Sequence, residues 1–214
     1  HILETQPTLM TALPRLYEVM HDRIQRGVRQ AGGKTEKLFN KTVALGIKQY
    51  EDPKSMTFSD LIQNKLLTLL VRNKAKKRFG GRLKALVSGG APLNYEIGVF
   101  FTALGIRLLQ GYGQTESAPV ISCNPPTNNK IKTVGPPLKD VEVEIAQDGE
   151  ILVRGELIMQ GYWNNLKATN EVIQNGWLHT GDIGELDSEG YIRSPARIKD
   201  IIVNSGGDNI SAEN

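Results

Sequence analysis

Residues 83–113 read LKALVSGGAPLNYEIGVFFTALGIRLLQGYG, and this stretch decides the fold. The apolar run Ala85-Leu86-Val87 enters a glycine turn at Ser88-Gly89-Gly90. Residues 94–104 then read as a helix stopped at Gly105, and Ile106 to Leu109 form a second apolar run ending in Gln110-Gly111-Tyr112-Gly113. Strand, glycine turn, helix, strand is the order of a parallel α/β sheet, whose ligand sites lie at strand ends. The expected fold class is therefore α/β, with helices beside a parallel-sheet subdomain.

Upstream, the first third reads as helical. Leu13, Leu16, Tyr17, Met20, Ile24 and Val28 recur at helical spacing behind Pro14, and Gly32-Gly33 ends the pattern. A second helix is expected from Leu38 to Tyr50, broken by Asp52-Pro53. A third, from about Ser59, carries Ile62, Leu66, Leu69 and Leu70 into a basic cluster of Arg72, Lys74, Lys76, Lys77, Arg78, Arg82 and Lys84. Residues 1–84 hold 17 Lys/Arg against 7 Asp/Glu (net +10), and residues 85–214 hold 9 against 16 (net −7). The basic cluster could draw phosphate or acidic lipid, but a solvated helix end whose cations suit the dipole is the simpler expectation. Only Phe79 interleaves with it for stacking, so nucleic acid is disfavoured as a partner.

Downstream of Pro136-Pro137, VEVEIA and EILVRG flank Gln147-Asp148-Gly149, a hairpin signal. LHTGDIGELD and YIRSPARIKD, joined by Ser188-Glu189-Gly190, predict a second hairpin, and IIVNSGG begins something new. The expected organisation has three parts. Residues 1–136 form an α/β part, with a helical stretch over 8–80 and a sheet unit over 83–124. Residues 137–198 form a small antiparallel β subdomain, and 199–214 a hinge and the start of a further lobe.

An apolar content of 39% beside 23% charged residues fits a globular chain with a real core, and no run of eighteen apolar residues is present. The first residues show no basic start or apolar cleavage segment, so no secretory leader is expected. Cys123 is the only cysteine, which allows no disulfide within the chain and agrees with a reducing, cytoplasmic setting. Contact with a membrane surface stays open.

Three segments carry chemistry. Glycines at Gly89 and Gly90, before Ala91-Pro92, let a flat ligand approach the backbone, although such turns are often only structural. Tyr112 offers a ring face between Gly111 and Gly113, as an adenine base requires, while Thr115 and Glu116 could hold phosphate oxygens and Mg²⁺. The alternative is that Thr115-Glu116 merely opens a helix. Asp182 at a tight turn suits the two hydroxyls of a ribose, and Arg197 a phosphate or the same sugar; a turn residue and a surface ion pair are the plainer alternatives. His179 is expected to be a satisfied turn histidine, and Cys123 a small buried filler.

The order SGGAPL (88–93), GYGQTE (111–116), GELIMQGYW (155–163), WLHTGD (177–182), RIKD (197–200), SGGDNI (205–210) resembles the adenylate-forming superfamily. The helical stretch before it is similar to the long-chain fatty acyl-CoA synthetases. The resemblance implies that Gly89, Gly90, Ala91 and Pro92 lie along adenine, with Gln110, Gly111, Tyr112 and Gly113 completing its slot. It makes Thr115 a phosphate contact, Glu116 the Mg²⁺ ligand, Asp182 the ribose ligand and Arg197 its neighbour. Lys199-Asp200 becomes the hinge of a C-terminal α+β lobe, and Ser205, Gly206 and Gly207 line the coenzyme A path. The implied reaction joins a fatty acid to CoA through an acyl-AMP, using ATP. Two alternatives remain: transfer of the acyl group to a carrier protein, or a nucleotide-binding module without catalysis. The resemblance also implies a Ser/Thr/Gly-rich phosphate loop upstream and a lysine further downstream, neither of which occurs here, so these 214 residues alone are expected to be inactive. Ala196 stands where the family usually has glycine, and Asp208 where glutamate is commoner. Acyl chain length and oligomeric state are not written in these motifs.

Overall fold

The computed structural model describes residues 2–197, 201–203 and 209–211, and from Ser194 onward only the strand backbone. The chain divides into two compact units, His1–Leu109 and Gln110–Asn214.

The first unit contains α1 (Ile2–Thr5), β1 (Leu9–Ala12), α2 (Pro14–Ala31), α3 (Gly33–Glu51) and α4 (Phe58–Leu67). A π-helical turn, Thr68–Arg72, leads into α5 (Asn73–Arg78), followed by β2 (Ala85–Ser88), α6 (Tyr95–Ala103) and the start of β3 (Leu108–Tyr112). Gly32, at φ 54, ends α2 and caps α3, which therefore starts five residues before the Leu38 expected from spacing. The helical reading of 8–80 needs one correction. Leu9–Ala12 is a strand, paired in parallel with β2 in the register Leu9↔Ala85 to Ala12↔Ser88. Leu86 N–H also donates to the Arg107 carbonyl (2.8 Å), at the entrance to β3.

The core of this unit gathers Tyr17 of α2, Phe39 of α3, Phe79, Leu86 of β2, Ile97, Phe100, Phe101 and Leu104 around α6, and Leu108 of β3. Each such side chain contributes about 1.5–3 kcal/mol on leaving water. Tyr17 is fully buried, and its hydroxyl donates to the Val87 carbonyl (2.8 Å), fixing α2 on β2; burial pushes its pKa up to about 12. Asn94 Oδ1 caps α6 by accepting from the Glu96 N–H (2.8 Å). α3 meets the end of α6 at Gly46, where a β-carbon would lie 2.5 Å from Ala103 Cα.

Arg72 overturns part of the charge reading. It was expected on a solvated helix end, yet it is 6% exposed. Its Nε donates to the Ala103 carbonyl (2.7 Å), one terminal nitrogen to the Asn64 carbonyl (3.1 Å) and Thr68 Oγ1 (2.9 Å), and the other to the Thr42 carbonyl (3.3 Å). Desolvation lowers its pKa. The π turn carries this side chain inward, and carbonyl dipoles rather than a carboxylate receive its charge.

In the second unit, the Gly111-Tyr112 end of β3 pairs antiparallel with β4 (Ser122–Cys123). There follow β5 (Glu142–Ile145), β6 (Glu150–Arg154), α7 (Leu166–Val172), β7 (Ile173–Gln174), β8 (Trp177–Leu186) and β9 (Ile192–Arg197). Among the described residues these strands make an antiparallel sheet in the order β5-β6-β8-β7, with β9 on β8. Both expected hairpins are present; α7 and β7 were not foreseen. Buried and less buried positions alternate along β6 and β8, and Ile151, Val153, Leu178 and Ile192 form the core with Ile121 and Val134. Residues 110–136 therefore pack with the antiparallel strands. β10 (Ile201–Val203) and β11 (Asn209–Ser211) form a further antiparallel pair. No described helix is long and apolar enough to cross a membrane.

Candidate functional site

Tyr112 closes β3, and its hydroxyl donates to Asp182 Oδ2 at 2.6 Å. The aromatic ring and the acid that the sequence singles out separately, 70 residues apart, are thus brought together. Asp182 is 5% exposed. It follows Gly181, whose φ of 70 lies in the left-handed region, and its N–H donates to Thr180 Oγ1 (3.1 Å), which in turn donates to the Ile151 carbonyl (2.7 Å). Glu150 braces the same stretch of β8: Oε1 accepts from the Gly181 N–H (2.8 Å), and Oε2 lies 2.7 Å from His179 Nδ1. His179 is therefore satisfied by Glu150, but neither it nor Asp182 sits at the turn the sequence suggested: both lie within β8, where Gly181 breaks the regular strand conformation. Across the ladder, Arg197 stands in register with Asp182.

The loop after Tyr112 is pinned by close backbone approach. A β-carbon on Gly113 would sit 2.0 Å from the Pro119 carbonyl oxygen, and Ile121 N–H donates to the Tyr112 carbonyl (2.8 Å). Gly113 is thus demanded by the loop's own packing, whatever the loop binds. Ser117 Oγ accepts from the Gln114 N–H (3.1 Å) and donates to its carbonyl (2.9 Å), closing a tight turn over Thr115–Ser117. Thr115 is exposed on this turn, and no long helix follows.

Glu116 is held by a segment the sequence reading did not connect to it. Tyr162 Oη donates to Glu116 Oε1 (2.7 Å), and the Met159 N–H donates to the Glu116 carbonyl (2.9 Å). The Glu116 carboxylate beside it raises the Tyr162 pKa, with burial adding to the effect, so the phenol stays a donor at neutral pH. Among the described residues no cluster of three or more His, Cys, Asp or Glu could hold a metal ion. A single carboxylate fits Mg²⁺ of the kind shared between one acid, waters and phosphate oxygens.

Gln110 is buried, its Nε2 3.5 Å from the Thr133 carbonyl. Gly90, Ala91 and Pro92 are exposed in the loop after β2, with Gly89 half-buried, in the first unit. Ser88 Oγ, at the end of that strand, is a buried hydroxyl without a hydrogen-bond partner. A cavity of about 680 Å³ between α3, α4 and Ala103 contains none of these motif residues. Lys199, Asp200, Ser205, Gly206 and Gly207 lie outside the described residues. Tyr162 and Glu150 are the additions of the structure. The only signal for Tyr162 was its place in GELIMQGYW, and Glu150 carried none.

The family model described as "AMP-binding enzyme" matches residues 1–163. The long-chain-fatty-acid–CoA ligase FadD15 of Mycobacterium bovis is 32% identical over 206 residues, which is 96% of this chain and 34% of that protein. The peroxisomal long chain acyl-CoA synthetase 6 of Arabidopsis thaliana is 34% identical over 224 residues, 97% of this chain and 31% of its own. The chain thus spans about a third of the length of the curated relatives it matches. Among solved structures, the o-succinylbenzoate coenzyme A synthetase MenE of Bacillus subtilis, in complex with ATP and magnesium ion, superimposes with a TM-score of 0.56. It shares 34% identity over 61% of this chain and 30% of that one. With the family model matching three quarters of its length and the motif residues Tyr112 and Asp182 joined as one cluster, the chain belongs to the AMP-binding enzyme family.

Proposed function

We propose that this chain is part of an AMP-forming acid–thiol ligase that activates a fatty acid as its acyl-adenylate, releases pyrophosphate, and then forms acyl-CoA. A carboxylate is a poor acyl donor, and esterification to AMP turns its hydroxyl oxygen into part of a good leaving group. The acid oxygen attacks the α-phosphorus of ATP, pyrophosphate leaves, and the thiol of coenzyme A then displaces AMP.

The Tyr112–Asp182 contact is the observation that carries this reading. The Tyr112 ring gives adenine a face, and the Asp182 carboxylate, aligned by the Tyr112 hydroxyl, can accept from ribose hydroxyls. Firm binding of base and sugar positions the α-phosphorus, so remote contacts lower the barrier at the reacting centre. Thr115 offers a hydroxyl to phosphate, and Arg197 a cation beside the sugar. Glu116 would hold Mg²⁺, which when bound offsets the negative charge gathered in the first step. Gly89 to Pro92 would lie along the base, with Gln110, Gly111 and Gly113 shaping the slot. Lys199-Asp200 as a hinge and Ser205-Gly206-Gly207 on the CoA path complete the proposal. The setting is cytoplasmic, and the basic stretch from Lys74 to Lys84 is the face for any contact with acidic lipid.

Calorimetric titration of the complete protein with AMP tests the site. Tyr112→Ala and Asp182→Asn should each weaken AMP at least tenfold, from lost stacking and lost ribose acceptance, while Tyr112→Phe keeps most of the affinity. Unchanged affinity in Tyr112→Ala and Asp182→Asn would remove the basis of the proposal. An assay offering both palmitate–CoA and palmitate–carrier-protein pairs then identifies the acceptor; acylation of the carrier alone would replace CoA in the scheme.

A further inference from the structure

We propose that Tyr162 is a positioning residue for the cation-binding carboxylate, locking Glu116 in the one rotamer that presents Oε2 to Mg²⁺; this rests on the reading of Glu116 given above.

A glutamate side chain has three rotatable bonds, and ordering it costs conformational entropy. A metal held by one carboxylate has no other protein ligand to share that cost. Here the ordering is built in before any ligand arrives. The Tyr162 hydroxyl donates to Oε1 at 2.7 Å, and the Met159 N–H fixes the Glu116 carbonyl at 2.9 Å. One short segment, 159–162, therefore holds both the main chain and the side chain of Glu116.

Tyr162 is itself anchored. Its N–H donates to Thr169 Oγ1 (2.9 Å), and that hydroxyl donates to the Asn165 carbonyl (2.9 Å) at the start of α7. Gly161, at φ 147, brings the chain so close that a β-carbon there would meet Thr169 Cγ2 at 2.8 Å. The path runs from the α7 amino end through Thr169 and Tyr162 to Glu116. Partners of this kind, one step behind a ligand, typically change metal affinity 10–100-fold when removed.

The test uses the complete protein with Mn²⁺ as a spectroscopic stand-in for Mg²⁺, its ATP complex followed by electron paramagnetic resonance, and AMP binding without metal followed by calorimetry. Tyr162→Phe keeps the ring and removes only the donor. It should weaken Mn²⁺ in the protein–ATP complex about tenfold, leave metal-free AMP affinity unchanged, and raise the Mg²⁺ concentration needed for half-maximal pyrophosphate release by a similar factor. Thr169→Val, which keeps its shape, should move Mn²⁺ affinity several-fold in the same direction, so the idea stays testable if one variant folds poorly. Glu116→Gln separates this inference from the reading beneath it. If Glu116→Gln abolishes Mn²⁺ binding while Tyr162→Phe and Thr169→Val leave it intact, the phenol only packs and the positioning role is refuted. If Glu116→Gln itself leaves Mn²⁺ binding intact, Glu116 is not the ligand, and both ideas fall.

Discussion

Replacing Gly46 by alanine should destabilise the first unit, although alanine is the better helix former. Gly46 lies within α3, where exchange to alanine on an open surface gains about 1 kcal/mol. Here the added carbon would meet Ala103 at 2.5 Å from Cα, 2.6 Å from Cβ and 2.7 Å from the carbonyl oxygen. Carbon atoms rest about 3.5–4.0 Å apart, so α3 and the end of α6 must part by about 1 Å. Overpacking of that size costs about 1–3 kcal/mol. The same movement stretches the Arg72 hydrogen bond to the Ala103 carbonyl, adding about 1 kcal/mol. The net expectation for Gly46→Ala is a loss of about 1–3 kcal/mol. Gly27 in α2 is the control: nothing lies within 4 Å of its added carbon, so Gly27→Ala should gain about 0.5–1 kcal/mol. Urea unfolding followed by far-ultraviolet circular dichroism reports the helices of this unit. Both substitutions stabilising the chain alike would refute the close α3–α6 contact.

Other consequences are open to measurement. Asp187, whose carboxylate is held by Lys130 (2.8 Å) and by main-chain donors, has its pKa lowered to about 2, below the ordinary value near 3.9. Its stabilising effect should be complete above about pH 4 and fade as pH falls toward 2; acid titration of Asp187→Asn should show a flatter loss over that window, and an unchanged profile would discount the pair. Burial raises the Cys123 thiol pKa, so alkylation by iodoacetamide at pH 8 should run well behind that of a free cysteine peptide and catch up only in urea. Glu150→Ala, which frees the Gly181 N–H and His179, should weaken AMP several-fold without touching the nucleotide; calorimetry showing full affinity would mean that this stretch of β8 holds itself. Arg72→Lys should cost about 1.5–3 kcal/mol in the helical transition, the worth of a lost hydrogen bond to a charged group, since an ammonium cannot reach the same spread of carbonyls.

Periodicity made the long elements legible: the spacing Leu13 to Val28 marks α2, and the alternation in EILVRG marks β6. It failed where elements are short. Leu9–Ala12 offers four residues with no marked alternation, and only its pairing with Ala85–Ser88 makes it a strand. α7 is short and largely polar, so nothing in LKATNEV separates it from a loop. Tyr112 and Asp182 could be named separately because each stands beside glycine in a short motif, although the structure puts both in strands, and their contact crosses 70 residues of chain. Tyr162 and Glu150 escaped notice because their roles are relational. A tyrosine matters to Glu116 only once the fold brings them together across 46 residues. Arg72 was misjudged for the opposite reason: surrounded in sequence by lysines, it looked like one more exposed cation.

That arginine also ties the assembly of the helical unit together. The carbonyls it reaches belong to Thr42, Asn64 and Ala103, which are 30, 8 and 31 positions away along the chain. Until all three have arrived, a half-dried cation would be stranded among apolar neighbours, a state costlier than either the hydrated chain or the finished structure. Partial docking is therefore penalised from within, and α3, α4 and α6 are driven to come together, and to come apart, in a single concerted step.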